Sequence, residues 1–202
     1  MKELEKCVKE HNERIKNNLT KEYLKQIKEV LNKITETDEM LIAILKGNLI
    51  LENKLKDLLI KYGIEKSILD KKYQSFHDKL NLCNSLNIIN KDTVNYLSKM
   101  NTTRNKYGHN IDFKITEEYL EGMISTLNDS DKSFYEYLLE IQGYKELEGD
   151  KKIYNHVLTY IEILYFDLSS VESFLLQKKY NIIQQFGCDI YKEATEYYEN
   201  HK

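Results

Sequence analysis

Apolar positions recur at helical spacing along most of the chain. From Leu41 to Ile60, the side chains of Leu41, Ile44, Leu45, Leu49, Leu51, Leu55, Leu58 and Leu59 share one wide arc of a helical wheel, while Lys46, Asn53, Lys54 and Asp57 occupy the other side. This predicts a helix beginning near Thr37 or Asp38 and running to Tyr62, with Gly63 suited to end it. Ahead of it, Leu19, Tyr23, Leu24, Ile27, Val30, Leu31 and Ile34 form a narrower stripe in a charged segment, as expected of a helical arm over 1–35 that packs on something. Shorter helices follow. One starts after Ser75, where "SFHD" has capping-box character, and one spans about Asp92 to Gly108. Another starts at Thr116 and ends near Asn128. The remainder reads as two or three long helices starting near Asp129, near Asp150 and after Tyr180.

Composition strengthens the helical reading. The 202 residues include no proline and only seven glycines, so little interrupts a helix, and an all-α protein is the economical reading. The net charge of −3 argues against coating of nucleic acid by the whole surface and leaves room only for a local basic site. Cys7, Cys83 and Cys188 are far apart and lack metal-ligand spacing, so reduced thiols in a cytoplasmic protein are expected. The first residues carry no apolar run, and the Leu41 to Ile60 stretch is broken by charges, so neither a signal peptide nor a membrane span is expected.

Two polar residues fall on apolar faces. Glu52 lies between Leu45 and Leu59 on the first wheel, within a stripe of Asn48, Glu52 and Lys56. On the Asp92 to His109 wheel, Arg104 lies between Leu97 and Met100. A chain with 28 lysines and two arginines has a reason to place arginine there, since a guanidinium grips carboxylate or phosphate with a planar fork. An inward Arg104 paired with Glu52 would satisfy both groups, either as scaffold or as part of a site. Gly108 is then expected to release the chain from the helix and return His109 toward Arg104.

The succession "LIAILKGNLILENKLKDLLI", "SFHDKLNLCNSLNII" and "LSKMNTTRNKYGHN", over roughly 36–128, resembles the HEPN superfamily of helical domains. Gly47, Ile50, Glu52 and Leu55 fill an apolar helix of the form G-x-L-x-x-E-x-x-L, Leu49 standing one position early. Phe76, Lys79 and Leu80 fill F-x-x-K-L, and Arg104, Asn105 and His109 fill an Arg-polar-…-His ending with four residues between Arg and His. The resemblance implies a HEPN-like helical bundle, with 1–35 as an added arm and 129–202 as a C-terminal extension packed on the same core. It further implies a metal-independent endoribonuclease without cofactor, acting as a homodimer on RNA, often a toxin held by an antitoxin or a phage-defence component.

On that resemblance Arg104 clamps phosphate, His109 is base or acid, Asn105 donates to phosphate or orients His109, and Glu52 positions Arg104, with Lys99 and Lys106 extending the field. The residue types suit RNA self-cleavage, in which the 2′-OH attacks the neighbouring phosphate and needs proton transfer and charge stabilisation. The alternative is a non-catalytic HEPN-like dimeric regulatory or interaction protein, or a nucleotide-binding module. No glycine-rich phosphate loop, Cys-x-x-Cys or His-Glu-x-x-His is present, no metal site is expected from the scattered histidines, and no basic recognition helix speaks for duplex DNA.

Overall fold

The computed structural model describes residues 40–110 and 112–200, with side chains described through residue 181 and at Gln185. The expected arm over 1–35 lies outside the described residues, as do Cys7 and the side chain of Cys188. The chain is all-α. Seven helices appear among the described residues: α1 (Met40–Tyr62), α2 (Lys66–Lys72), α3 (Phe76–Ser85), α4 (Lys91–His109), α5 (Glu117–Ile124), α6 (Asp129–Ile141) and α7 (Gly149–Asn200).

Local chemistry sets most of their starts. Ser75 and Asp78 form a reciprocal capping box at the head of α3. Asn90, Thr116 and Asn128 each accept a hydrogen bond from a backbone N–H three residues on, at the heads of α4, α5 and α6. Gly63, at φ +123°, ends α1 in a backbone conformation that other residues rarely adopt. The end region differs from expectation: no break follows Tyr180, and α7 runs as one helix of 52 residues. A segment free of proline offers nothing to stop it there.

The core lies where α1, α4 and α7 meet. Ile44, Leu51, Leu55 and Leu58 of α1, Tyr96, Leu97 and Met100 of α4, and Val157, Ile161, Leu164 and Leu168 of α7 are all buried in one cluster. Gly47 approaches Ile161, and Lys54 pairs with Glu172, so α1 and α7 run in the same direction. Thr93 bonds Asp167 and Tyr160 bonds the Tyr96 carbonyl, so α4 runs opposite to both. Buried tyrosine hydroxyls are satisfied: that of Tyr96 donates to Asp131 at 2.9 Å and accepts from the Asn128 N–H at 2.8 Å. Cys83 is buried beside Leu55, and burial pushes its thiol up to about 12.

Two assignments from the α1 wheel need correction. Leu41, Leu45 and Leu49 are solvent-exposed, at 42%, 40% and 57%, because the apolar arc is wider than the surface its neighbours cover. Lys54, expected on the polar side, is buried because α7 packs over that flank and brings Glu172 to it. Lys61 joins the same carboxylate from the end of α1. Burial lowers the pKa of Lys54, which also stands over the Tyr165 ring at 5.0 Å.

The approach of α1 to α7 requires glycine at position 47. A Cβ there would lie 2.7 Å from Ile161 Cδ1 and 3.2 Å from its Cγ2, and Ile161 is fully buried in a close-packed core, so it must shift. Gly47→Ala gains about 1 kcal/mol of helix propensity and loses about 1–3 kcal/mol to overpacking. The expected result is a net loss in chemical denaturation, smaller when Ile161→Val removes the clashing methyl in the same chain.

A partly buried carboxyl beside this core supplies a pH signature. Asp167 is raised to about 6 by burial first and by the charge of Asp131 second, against a hydrogen bond from Thr93. The native state therefore holds a proton that the unfolded chain releases near pH 3.9. Stability from this group is complete below the unfolded value and is lost as pH rises through about 6. Asp167→Asn keeps an acceptor for Thr93 and removes this loss. Its stability relative to the wild type should rise by about 1–3 kcal/mol between about pH 4 and about pH 7.5, read by urea denaturation at both.

Candidate nucleic-acid interface

α4 positions the candidate site. Asn90 caps its first turn, and Tyr96, Leu97, Met100 and Thr103 hold one face against the core. The opposite face presents Asn95, Ser98, Thr102, Lys106 and His109 to solvent, with Asn101 and Asn105 half-exposed. The sequence between Asp92 and Asp112 contains no acid at all, yet carries Lys99, Arg104, Lys106 and His109. In a chain of net charge −3, α4 beyond its first turn is a local exception: hydrogen-bond donors and cations without a carboxylate among them.

Arg104 is exposed rather than inward-facing, and its Nη1 donates to Asn105 Oδ1 at 3.1 Å. Among the described residues it makes no ion pair. The wheel gives its azimuth correctly, but Thr103 is the last fully buried residue of α4, and beyond it only the partly buried Tyr107 packs against the core. Nor does Gly108 release the chain: α4 continues to His109, whose ring is exposed and has no hydrogen-bond partner among the described residues. Five residues apart on a continuing helix, Arg104 and His109 diverge by about 140°.

Glu52 is not the partner of Arg104. It accepts a hydrogen bond from Lys79 of α3 at 2.7 Å, and Lys79 Nζ also donates to the Gln74 carbonyl. The bundle explains the separation. Gly47 lies opposite Ile161 and Thr93 opposite Asp167, so at 1.5 Å per residue Glu52 and Arg104 are about 15 Å apart along the axis. Further along the polar stripe on α1, Lys56 pairs with Asp70 of α2. Lys79 was visible in the sequence only as a member of F-x-x-K-L, and its spacing to Glu52 gave no sign of the pair.

Lys99 and Lys106 face α5. Both ammonium groups stand 4.6 Å from the Tyr119 ring centroid, and Lys106 lies 5.4 Å from that of Phe113. Tyr107, Phe113 and Tyr119 meet edge to face, with centroids 4.9 Å and 5.2 Å apart, and the Tyr119 and Thr103 hydroxyls are hydrogen-bonded at 3.0 Å. Sequence reasoning missed this aromatic floor, because its members come from α4, α5 and the loop between them. Among the described residues no three His, Cys, Asp or Glu side chains are grouped to hold a metal ion. No helix among them is long and apolar enough to cross a membrane.

No family model matches the chain, and no curated protein matches it. Its fold is similar to that in the crystal structure of a possible transcriptional regulator, YggD, from Shigella flexneri 2a str. 2457T. The TM-score is 0.52 at 11% identity, covering 72% of this chain and 93% of the other. At that identity the likeness concerns the fold alone.

Proposed function

We propose that the protein is a metal-independent endoribonuclease of HEPN type, acting as a homodimer. The observation that carries this reading is the acid-free stretch of α4 after Asp92, whose exposed arginine makes no ion pair among the described residues and donates to Asn105. Donors and cations on a stretch of helix that carries no carboxylate suit a phosphodiester. The divergence of Arg104 and His109 on one helix favours a site shared by two copies, whose two imidazoles divide the proton transfers. In the reaction the 2′-oxygen bonds to phosphorus, its proton passes to one His109, and the 5′-oxygen leaves with a proton from the other. Arg104 donates to the non-bridging oxygens, where charge accumulates, and Asn105 keeps its fork in place. Glu52 has no part in this scheme. A toxin or phage-defence role in the cytoplasm, with an antitoxin as partner, accompanies this reading.

The test is cleavage of mixed single-stranded RNA in EDTA by the wild type and by the Arg104→Ala/His109→Ala variant. The expected products carry 2′,3′-cyclic phosphate and 5′-hydroxyl ends and form only with the wild type. Equal inertness of two folded dimers overturns the reading. A second reading, a non-catalytic dimeric regulator, draws on the fold likeness to the possible transcriptional regulator; binding of nucleic acid through α4 without cleavage would favour it.

A further inference from the structure

We infer that Lys99 and Lys106, seated on the Tyr119 and Phe113 rings, form a second anion subsite beside His109 that binds the backbone of the RNA strand flanking the scissile phosphate. The inference rests on the RNA reading of α4 and specifies where the strand runs. Four observations carry it.

The two ammonium groups stand at equal distance, 4.6 Å, from the centroid of the one Tyr119 ring, which sets two cations around a single aromatic side chain. Neither makes an ion pair or a hydrogen bond among the described residues, although Lys99 is only half-exposed. Two cations set around one ring, neither of them held by a carboxylate, attract a phosphate with no internal partner competing for it. The ring electrons hold the ammonium groups without neutralising them, so both charges stay available to a ligand.

The floor beneath them is also fixed. Tyr119 is hydrogen-bonded to Thr103 and packed edge-on by Phe113, which is packed in turn by Tyr107. The lysines thus start from restrained positions, and less side-chain entropy is lost on binding. Position supplies the direction. Lys106 and His109 are i, i+3 neighbours on α4, and Lys99 lies two turns before Lys106 on the same face. A strand bound by His109 continues over Lys106 toward Lys99 and α5, on the flank away from Arg104. Glu118 and Glu121 on α5 are exposed and make no ion pair with either lysine.

The experiment measures binding of fluorescein-labelled single-stranded RNA by anisotropy over a salt series, using the full chain with His109→Ala so that substrate stays intact. Each phosphate contact to a single strand contributes about 0.7 to the slope of log K against log salt. Lys99→Ala/Lys106→Ala should therefore flatten the slope by about 1.4, and Lys106→Ala alone, at an exposed position, by about 0.7. The arginine double variant should restore it. An unchanged slope in a variant with wild-type circular dichroism overturns the subsite, even where the wild type cleaves RNA. A flattened slope in a protein that never cleaves RNA supports the subsite and overturns the ribonuclease reading. Absence of RNA binding by the parent chain overturns both.

Discussion

Glu172→Gln should lower the stability of the protein by about 3–5 kcal/mol, the usual cost of removing one partner from a buried ion pair. Glu172 is 4% exposed and Lys54 7%, and the pair closes the seam between α1 and α7, with Lys61 reaching the same carboxylate from the rim. The glutamine keeps the shape of the side chain and removes its charge. Lys54 then keeps an ammonium in a place where burial already lowers its pKa, and Lys61 stands near it with the same sign. The deficit should shrink as pH rises, because Lys54 escapes it by losing its proton, a sign opposite to that of a general loss of packing. Replacing both members, as Lys54→Met/Glu172→Leu, should recover most of the lost stability. Urea denaturation of the wild type, Lys54→Met, Glu172→Leu and the double closes the cycle; a double no better than Glu172→Leu would show that the charge pair is not what fails.

For catalysis, His109→Ala should reduce RNA cleavage by about 10²–10⁴-fold, the range expected for a general acid or base. Arg104→Ala should cost about 10²–10³-fold, as for loss of a donor to developing negative charge. Arg104→Lys should recover little, since an ammonium cannot reproduce the two-pronged contact or the hydrogen bond to Asn105 Oδ1. Both side chains are exposed, and neither substitution should move the thermal midpoint appreciably. Initial rates on one labelled RNA, with melting curves beside them, separate a chemical loss from a structural one. Activity retained by His109→Ala would remove the imidazole from the mechanism. Glu52→Gln, by contrast, should act through Lys79 and affect stability more than rate.

The helices were legible because their signals are local. Ser75, Thr116 and the apolar spacing of α1 and α4 specify starts and faces within a few residues of themselves. Partners were not legible in the same way. The wheel gives the direction of Arg104 but not the level at which full burial stops, so it implies a buried guanidinium facing Glu52 where the guanidinium is exposed and Glu52 meets Lys79. Lys54 falls on the polar side of its wheel, and nothing within its own helix foretells that α7 covers it. For the candidate site, the residue types at 104, 105 and 109 were apparent from the sequence. The floor of Tyr107, Phe113 and Tyr119 was not, since three separated positions form it only once α5 packs beside α4.

The direction and distance of the α1 to α7 contact also bear on how the chain is made. Lys54 waits for a carboxylate 118 residues later, and Gly47 and its neighbouring leucines wait for Ile161. At roughly 5–20 residues per second, a ribosome needs about 6–24 s to supply Glu172 after Lys54. Throughout that interval the apolar side of α1 lacks its principal cover, which makes nascent α1 a natural client for chaperones that shield emerging chains.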